Sequence, residues 1–227
     1  NWAELNGAVE KFFQHTGGSM MLFDVDLHTN LSKARKDASN FDLSTIFDNT
    51  LVQKHPEFAV TFVSNHDTQP LQKMETVVES WFKPLAYALI LLRQSGYPCI
   101  FVADYFGAHY TDKGKDGEDH EIWMESHQDI LNGFLYARKT FCYGPQNDYF
   151  DHPFCVGWTR ISNTRNQTGM AVLLSIGDAA SKNMETGSPN TKYYDLTGNI
   201  QEEIFSNESG WGEFRCNAES VSVWLPR

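Results

Sequence analysis

The chain has little with which to hold a polyanion or to cross a bilayer. Its 227 residues include 18 Lys and Arg against 29 Asp and Glu, a formal charge of −11, and Lys33, Arg35 and Lys36 are its densest basic cluster. Nucleic-acid backbones and anionic membranes attract clustered cations, so neither is an expected partner. The longest apolar stretch, around Leu85 to Leu92, is far shorter than the roughly 18 residues a spanning helix needs. Cys99, Cys142, Cys155 and Cys216 have no zinc-ligand spacing. Glycine-rich nucleotide motifs, a phosphate-binding loop and a His-Glu-x-x-His helix are all missing, which removes the commonest dinucleotide, nucleotide and zinc-protease readings. Asn1-Trp2-Ala3-Glu4 lacks the basic start and apolar run of a secretory leader, and Asn1 is no initiator methionine. Sequons at Asn30, Asn166 and Asn207 carry glycan only in a secreted protein. Compartment stays open, with the cytoplasm favoured, and nothing signals an obligate protein partner.

What the chain does have is apolar and aromatic mass. Hydrophobic residues make up 41% and charged residues 21%, enough to build a packed core, and aromatics reach 14%. Aromatic wealth suits a sugar-stacking cleft, but packing is the commoner reason for it.

Residues 3 to 15 place Leu5, Val9, Phe12 and Phe13 at helical spacing. Met20 to His28 reads as a buried strand opening into a loop, and Leu31 to Gln53 carries two short helical patterns with Asp42 and Ser44 as caps. Phe58 to Ser64 is a second buried strand and Cys99 to Val102 a third, separated by a helical pattern from Glu75 to Arg93 that Pro84 interrupts. Residues 107 to 121, with His109 and His120, read as a solvent-facing loop, and 122 to 141 as a helix. Short apolar strands alternating with long helices imply βα units around a parallel sheet.

After Tyr143-Gly144-Pro145 the rhythm changes. Segments at Cys155 to Ile161, Met170 to Ile176, Lys192 to Leu196, Glu213 to Cys216 and Ser220 to Leu225 alternate with turns such as Gly177-Asp178 and Gly198-Asn199, the pattern of an antiparallel β domain. The predicted division is a partial (β/α)-barrel over 1–141 and an antiparallel β-sandwich over 142–227.

In parallel βα folds functional groups gather where the strands end. Asn65-His66-Asp67 follows one such strand directly, and Asp24, Asp26 and His28 lie along another. A carboxylate beside an imidazole at a barrel mouth suits glycoside hydrolysis, whose transition state is oxocarbenium-like. On the residues alone, His66 and Asp67 stand equally for catalysis and for a turn cap, and Asp24 reads better as an internal hydrogen-bond partner than as a catalytic group.

Phe62-Val63-Ser64-Asn65-His66-Asp67-Thr68-Gln69-Pro70 resembles the strand-seven motif of the alpha-amylase family, in particular its bacterial liquefying type and fungal intracellular relatives. Phe23 to His28 is similar to the sixth strand, Trp81 to Tyr87 to the next helix, and Gly96-Tyr97-Pro98 to the entry of the eighth. Tyr143 to Gln146, Asp151-His152-Pro153, Gly157 to Arg160, Asp195 to Gly198 and Gly210 to Phe214 continue in the same order, so the resemblance covers essentially the whole chain.

The resemblance implies strands six to eight of a (β/α)₈ TIM barrel followed by an all-β C-terminal domain, in a retaining hydrolase of α-1,4 bonds in starch, glycogen or maltodextrins. Asp67 matches the carboxylate that stabilises the transition state, His66 the histidine that bonds the same sugar, and His28 and Asp104 are carried as further substrate contacts. Where relatives have Tyr-Gly-Asp after strand eight, this chain has Val102-Ala103-Asp104. Asn147 and Asp148 resemble part of a calcium site between barrel and C-terminal domain. The family's nucleophile and acid/base glutamate follow strands four and five, and the part matched here lies beyond both. The expectation is therefore the C-terminal part of a longer enzyme. The alternative is a non-catalytic glucan-binding or regulatory remnant.

Overall fold

A computed structural model describes residues 2–36, 40–163 and 168–227. The sequon at Asn166 lies outside the described residues. The chain divides into two compact units, one of Asn1–Lys36, Ile46–Ile90 and Ser95–Gln128, the other of Asp37–Thr45, Leu91–Gln94 and Asp129–Arg227.

The first unit begins with helix α1 (Trp2–Thr16) and the two-residue strand β1 (Leu22–Phe23). The strand expected to reach His28 stops at Phe23, and helix α2 (Val25–Lys36) starts two residues later. Asp24 is the cause. Its backbone N–H still bonds the Val60 carbonyl, while its side chain accepts the Leu27 N–H at 3.0 Å and so caps the new helix. Alternating Asp and apolar residues imitate a strand, but Leu27, Leu31 and Ala34 are buried together, which is helical spacing.

Helix α3 (Leu51–Lys54) leads to strand β2 (Ala59–Phe62). The long helix expected from Glu75 is shorter: a 3₁₀ turn at Ser80–Phe82 precedes α4 (Lys83–Leu91). Pro84 stands in the first turn of α4, where a missing N–H costs no helical bond, so it starts the helix instead of breaking one. Strand β3 (Tyr97–Cys99) ends earlier than expected, and Val102 opens helix α5 (Val102–Phe106).

The expected loop over 107–121 is a hairpin, β4 (Ala108–Lys113) paired with β5 (Asp119–Met124) from Ala108↔Met124 to Lys113↔Asp119. Its charged side chains hide the strand period because little of either face is buried. His109 and His120 sit on these strands, His109 stacked on Trp123 with ring centres 3.6 Å apart. The strands of the main sheet lie in the order β1-β2-β3, parallel throughout, with Phe23 opposite Val60 and Phe62 opposite Cys99.

Helix α6 (Gln128–Phe141) leads into the second unit, and its ladders are all antiparallel: β6 (Gln146–Tyr149), β7 (Cys155–Arg160), β8 (Met170–Ser175), β9 (Ala180–Glu185), β10 (Lys192–Asp195), β11 (Ile204–Phe205), β12 (Trp211–Cys216) and β13 (Ser220–Pro226). One sheet runs β11-β10-β13-β8-β7-β6 and a second pairs β12 with β9. Cys155, Leu173, Met184, Tyr193, Phe214 and Trp224 close around a common core. Trp158 and Trp224 are fully buried, so these rings pack instead of presenting a sugar platform. The Trp158 indole donates to the Leu92 carbonyl at 3.2 Å.

Candidate functional site

The turn after β2 is built by two side chains. Asn65 Oδ1 accepts the N–H groups of Asp67 at 2.9 Å and Thr68 at 3.0 Å, and Thr68 Oγ1 accepts the Asn65 N–H at 2.9 Å. This reciprocal bracket fixes the backbone between them. The two residues it leaves projecting are His66 and Asp67. Their side chains are 81% and 52% exposed, with His66 Nε2 3.7 Å from Asp67 Oδ2, too far for a hydrogen bond. Beyond the turn Leu71 holds a left-handed backbone at φ 67°. The hairpin braces this segment: the Tyr110 hydroxyl donates to the Pro70 carbonyl at 2.6 Å, and Gln72 Nε2 to Asp112 Oδ2 at 3.0 Å.

Below the turn lie groups of another kind. Asp24 is fully buried, and besides Leu27 it accepts the N–H groups of Leu51 at 3.1 Å and Val52 at 2.7 Å, the opening residues of α3. Burial raises its carboxyl above the usual range despite these three donors. One side chain thus accepts N–H groups at the start of two helices, beside Thr50, whose hydroxyl caps α3 by accepting the Gln53 N–H.

His28 is fully buried as well, its ring stacked on Phe62 and its Nδ1 2.8 Å from the Val63 carbonyl. Burial lowers its pKa to about 4, so the ring is neutral near pH 7. Asp104 is fully buried in α5, paired with Lys83 Nζ, accepting the Tyr87 hydroxyl at 2.7 Å, while its own carbonyl accepts the His127 N–H at 2.9 Å. Burial, then the Asp104 charge, push the Tyr87 hydroxyl well above the tyrosine range. The structure thus places His28 and Asp104, both expected as substrate contacts, fully buried, each engaged in internal bonds that hold the strand ends.

Asn147 and Asp148 lie on β6. Both Asp148 oxygens are held by the Arg93 guanidinium at 2.8 Å each, and Gln146 Nε2 adds a third donor at 2.8 Å. A carboxylate already neutralised by a bidentate fork does not fit the six to eight oxygens of calcium. Among the described residues no three His, Cys, Asp or Glu side chains gather as metal ligands. None of the described helices is long and apolar enough to cross a membrane.

The alpha-amylase C-terminal family matches residues 174–225, which run from the end of β8 to β13. The alpha-amylase of Geobacillus stearothermophilus is 41% identical over 229 residues, covering 100% of this chain and 40% of its own length. The cytoplasmic alpha-amylase of Escherichia coli (strain K12) is 42% identical over 226 residues, covering 99% of this chain and 45% of its own.

The chain belongs to the alpha-amylase family.

It matches the C-terminal part of these amylases and spans less than half their length. The crystal structure of AmyP in complex with maltose superposes on 89% of this chain and 49% of its own with a TM-score of 0.58 at 10% identity, a likeness of fold alone. Two features were not legible in the sequence: the exposed Trp123 ring on β5, and the set of cations around the buried Arg160. Trp123 was hidden by the polar residues of its hairpin, and the cations by their distance along the chain.

Proposed function

We propose that this chain is the C-terminal part of a retaining α-1,4-glucan hydrolase, in which Asp67 stabilises the charged transition state and His66 bonds the same sugar. The observation that carries the reading is the exposed His66–Asp67 pair on a turn locked by Asn65 and Thr68, directly after the central strand of a parallel sheet. Three strands that pair in chain order, each parallel to the last, suit consecutive strands of a (β/α)₈ barrel, numbers six to eight by the family resemblance, because a doubly wound sheet reverses its order at the switch point. The division at 141/142 goes with this reading.

The chemistry follows from placement. An oxocarbenium-like ion develops positive charge at the anomeric carbon, and a fixed carboxylate lowers that barrier without reorganising. Asn65 and Thr68 supply the fixing. A retaining mechanism also needs a nucleophile and an acid/base about 5–5.5 Å apart. By the resemblance these come from residues before the segment matched here, and Asp67 works beside them. The alpha-amylases matched at 41% and 42% identity support a glucan as the ligand class.

Nuclear magnetic resonance tests this directly. Titrating maltoheptaose into the ¹⁵N-labelled protein is expected to shift the amides of Asn65 to Thr68 first. Shifts confined to the β domain would favour a non-catalytic glucan-binding role and defeat the assignment.

A further inference from the structure

Within the second unit a cavity of about 470 Å³ is lined by Arg93, Arg138, Lys139 and Arg160, with Leu135 and Tyr143 also on its wall. Four cations around one cavity are unexpected in a chain of net charge −11. Part of the arrangement is architectural. Arg138 and Lys139 occupy the last turn of α6, where positive charge suits the helix dipole, and Arg138 Nη1 donates to the Leu91 carbonyl. Arg160 reaches the Gly144 carbonyl from Nε at 3.0 Å and Nη2 at 2.8 Å.

Those carbonyls orient the forks without cancelling their charge. Arg93 has Asp148 as its ion-pair partner, but among the described residues no carboxylate pairs with Arg138, Lys139 or Arg160. Arg160 is only 4% exposed, and burial, followed by repulsion from Arg138 and Arg93, lowers its proton affinity. Arginine does not deprotonate under such pressure, so the unfavourable charge stays until an anion arrives. Planar guanidinium forks match the oxygens of phosphate, and a lysine adds a mobile point charge. The volume lies in the ordinary range of small-molecule sites and exceeds what a bare phosphate fills. The exposed Tyr143 ring and Leu135 offer apolar contact for an organic portion.

We propose that this pocket binds the phosphate group of a phosphorylated small molecule of about sugar size, with Arg138, Lys139 and Arg160 as the donors. The site is separate from the His66–Asp67 turn and does not depend on the role given to it.

Isothermal titration calorimetry of the purified protein with glucose 6-phosphate, inorganic phosphate and glucose tests it, repeated on Lys139→Gln and Arg138→Gln. Glucose 6-phosphate is expected to bind and glucose to give no heat through this site. Each substitution should weaken binding about 10- to 100-fold, the loss of one charge-assisted hydrogen bond. Lys139 is exposed, so its variant keeps the unfolding midpoint and separates lost binding from lost folding. Tighter binding of the ester than of inorganic phosphate supports an organic phosphate as the ligand, and equal binding overturns the sugar-sized part of the proposal. Absence of binding to either, or binding unchanged in both variants, overturns the proposal.

Discussion

Acidification isolates the contribution of one buried ring, His28. Its pKa is about 4 in the folded chain because burial disfavours the imidazolium, against an ordinary value near 6.5 in the unfolded chain. Above about pH 6.5 the ring is neutral in both states and adds no pH dependence. As the pH falls from there toward 4, the unfolded chain takes a proton that the folded chain refuses, so stability drops with falling pH. Below about 4 the folded state binds the proton too and the dependence ends. Each tenfold difference in proton affinity is about 1.4 kcal/mol, so the total loss from this group is about 3 kcal/mol. His28→Gln keeps an N–H donor for the Val63 carbonyl and has no proton to take up. Urea unfolding of both proteins at pH 7, 6, 5 and 4 gives the gap between them at each pH. Packing lost in the variant offsets all points equally, and Asp24 and the other titrating groups act in both proteins. The wild-type advantage should therefore shrink by about 3 kcal/mol between pH 7 and 4. A gap that stays constant would refute the claim that the fold excludes the charged ring.

Three further outcomes follow from internal contacts. Asp104→Ala leaves the Lys83 ammonium buried without its partner and should cost about 3–5 kcal/mol in urea unfolding; a cost under about 1 kcal/mol would mean that water reaches the pair. Gly144→Ala would place a Cβ 1.6 Å from the Ile161 carbonyl oxygen, so the backbone must move, and a loss of about 3 kcal/mol or more is expected in the same assay. Millimolar calcium should leave the thermal midpoint unchanged because Arg93 holds both oxygens of Asp148, and a rise that Asp148→Asn removes would contradict this.

Legibility in the sequence followed burial. The run Phe58 to Ser64 contains β2, and the apolar segments from Met170 and Ser220 coincide with β8 and β13, because strands covered on both faces advertise themselves as continuous apolar residues. Strands with exposed faces were silent: β9, reading Ala-Ser-Lys-Asn-Met-Glu, and the β4–β5 hairpin have too few apolar positions to mark a period. Met20 to His28 was misread because one carboxylate, Asp24, turned an alternating pattern into a helix start. At the candidate site, the place of His66 and Asp67 directly after a strand was legible, since turn-forming residues follow an apolar run directly. The fate of Asp104 was not. Its partners Tyr87 and Lys83 stand 17 and 21 residues away in the chain, and only the folded arrangement brings an ammonium, a phenol and a carboxylate together.

The central claim is that Asp67 acts on a glucan. The most direct measurement is reducing-end release from soluble starch and maltoheptaose by the protein that carries this sequence, its Asp67→Asn variant, and an Asp116→Asn control on the distant turn of the hairpin. Loss of one preorganised charge at the reacting sugar predicts a kcat about 10²- to 10³-fold lower for Asp67→Asn, with an unchanged unfolding midpoint and an unaffected control. Full activity in Asp67→Asn would contradict the account.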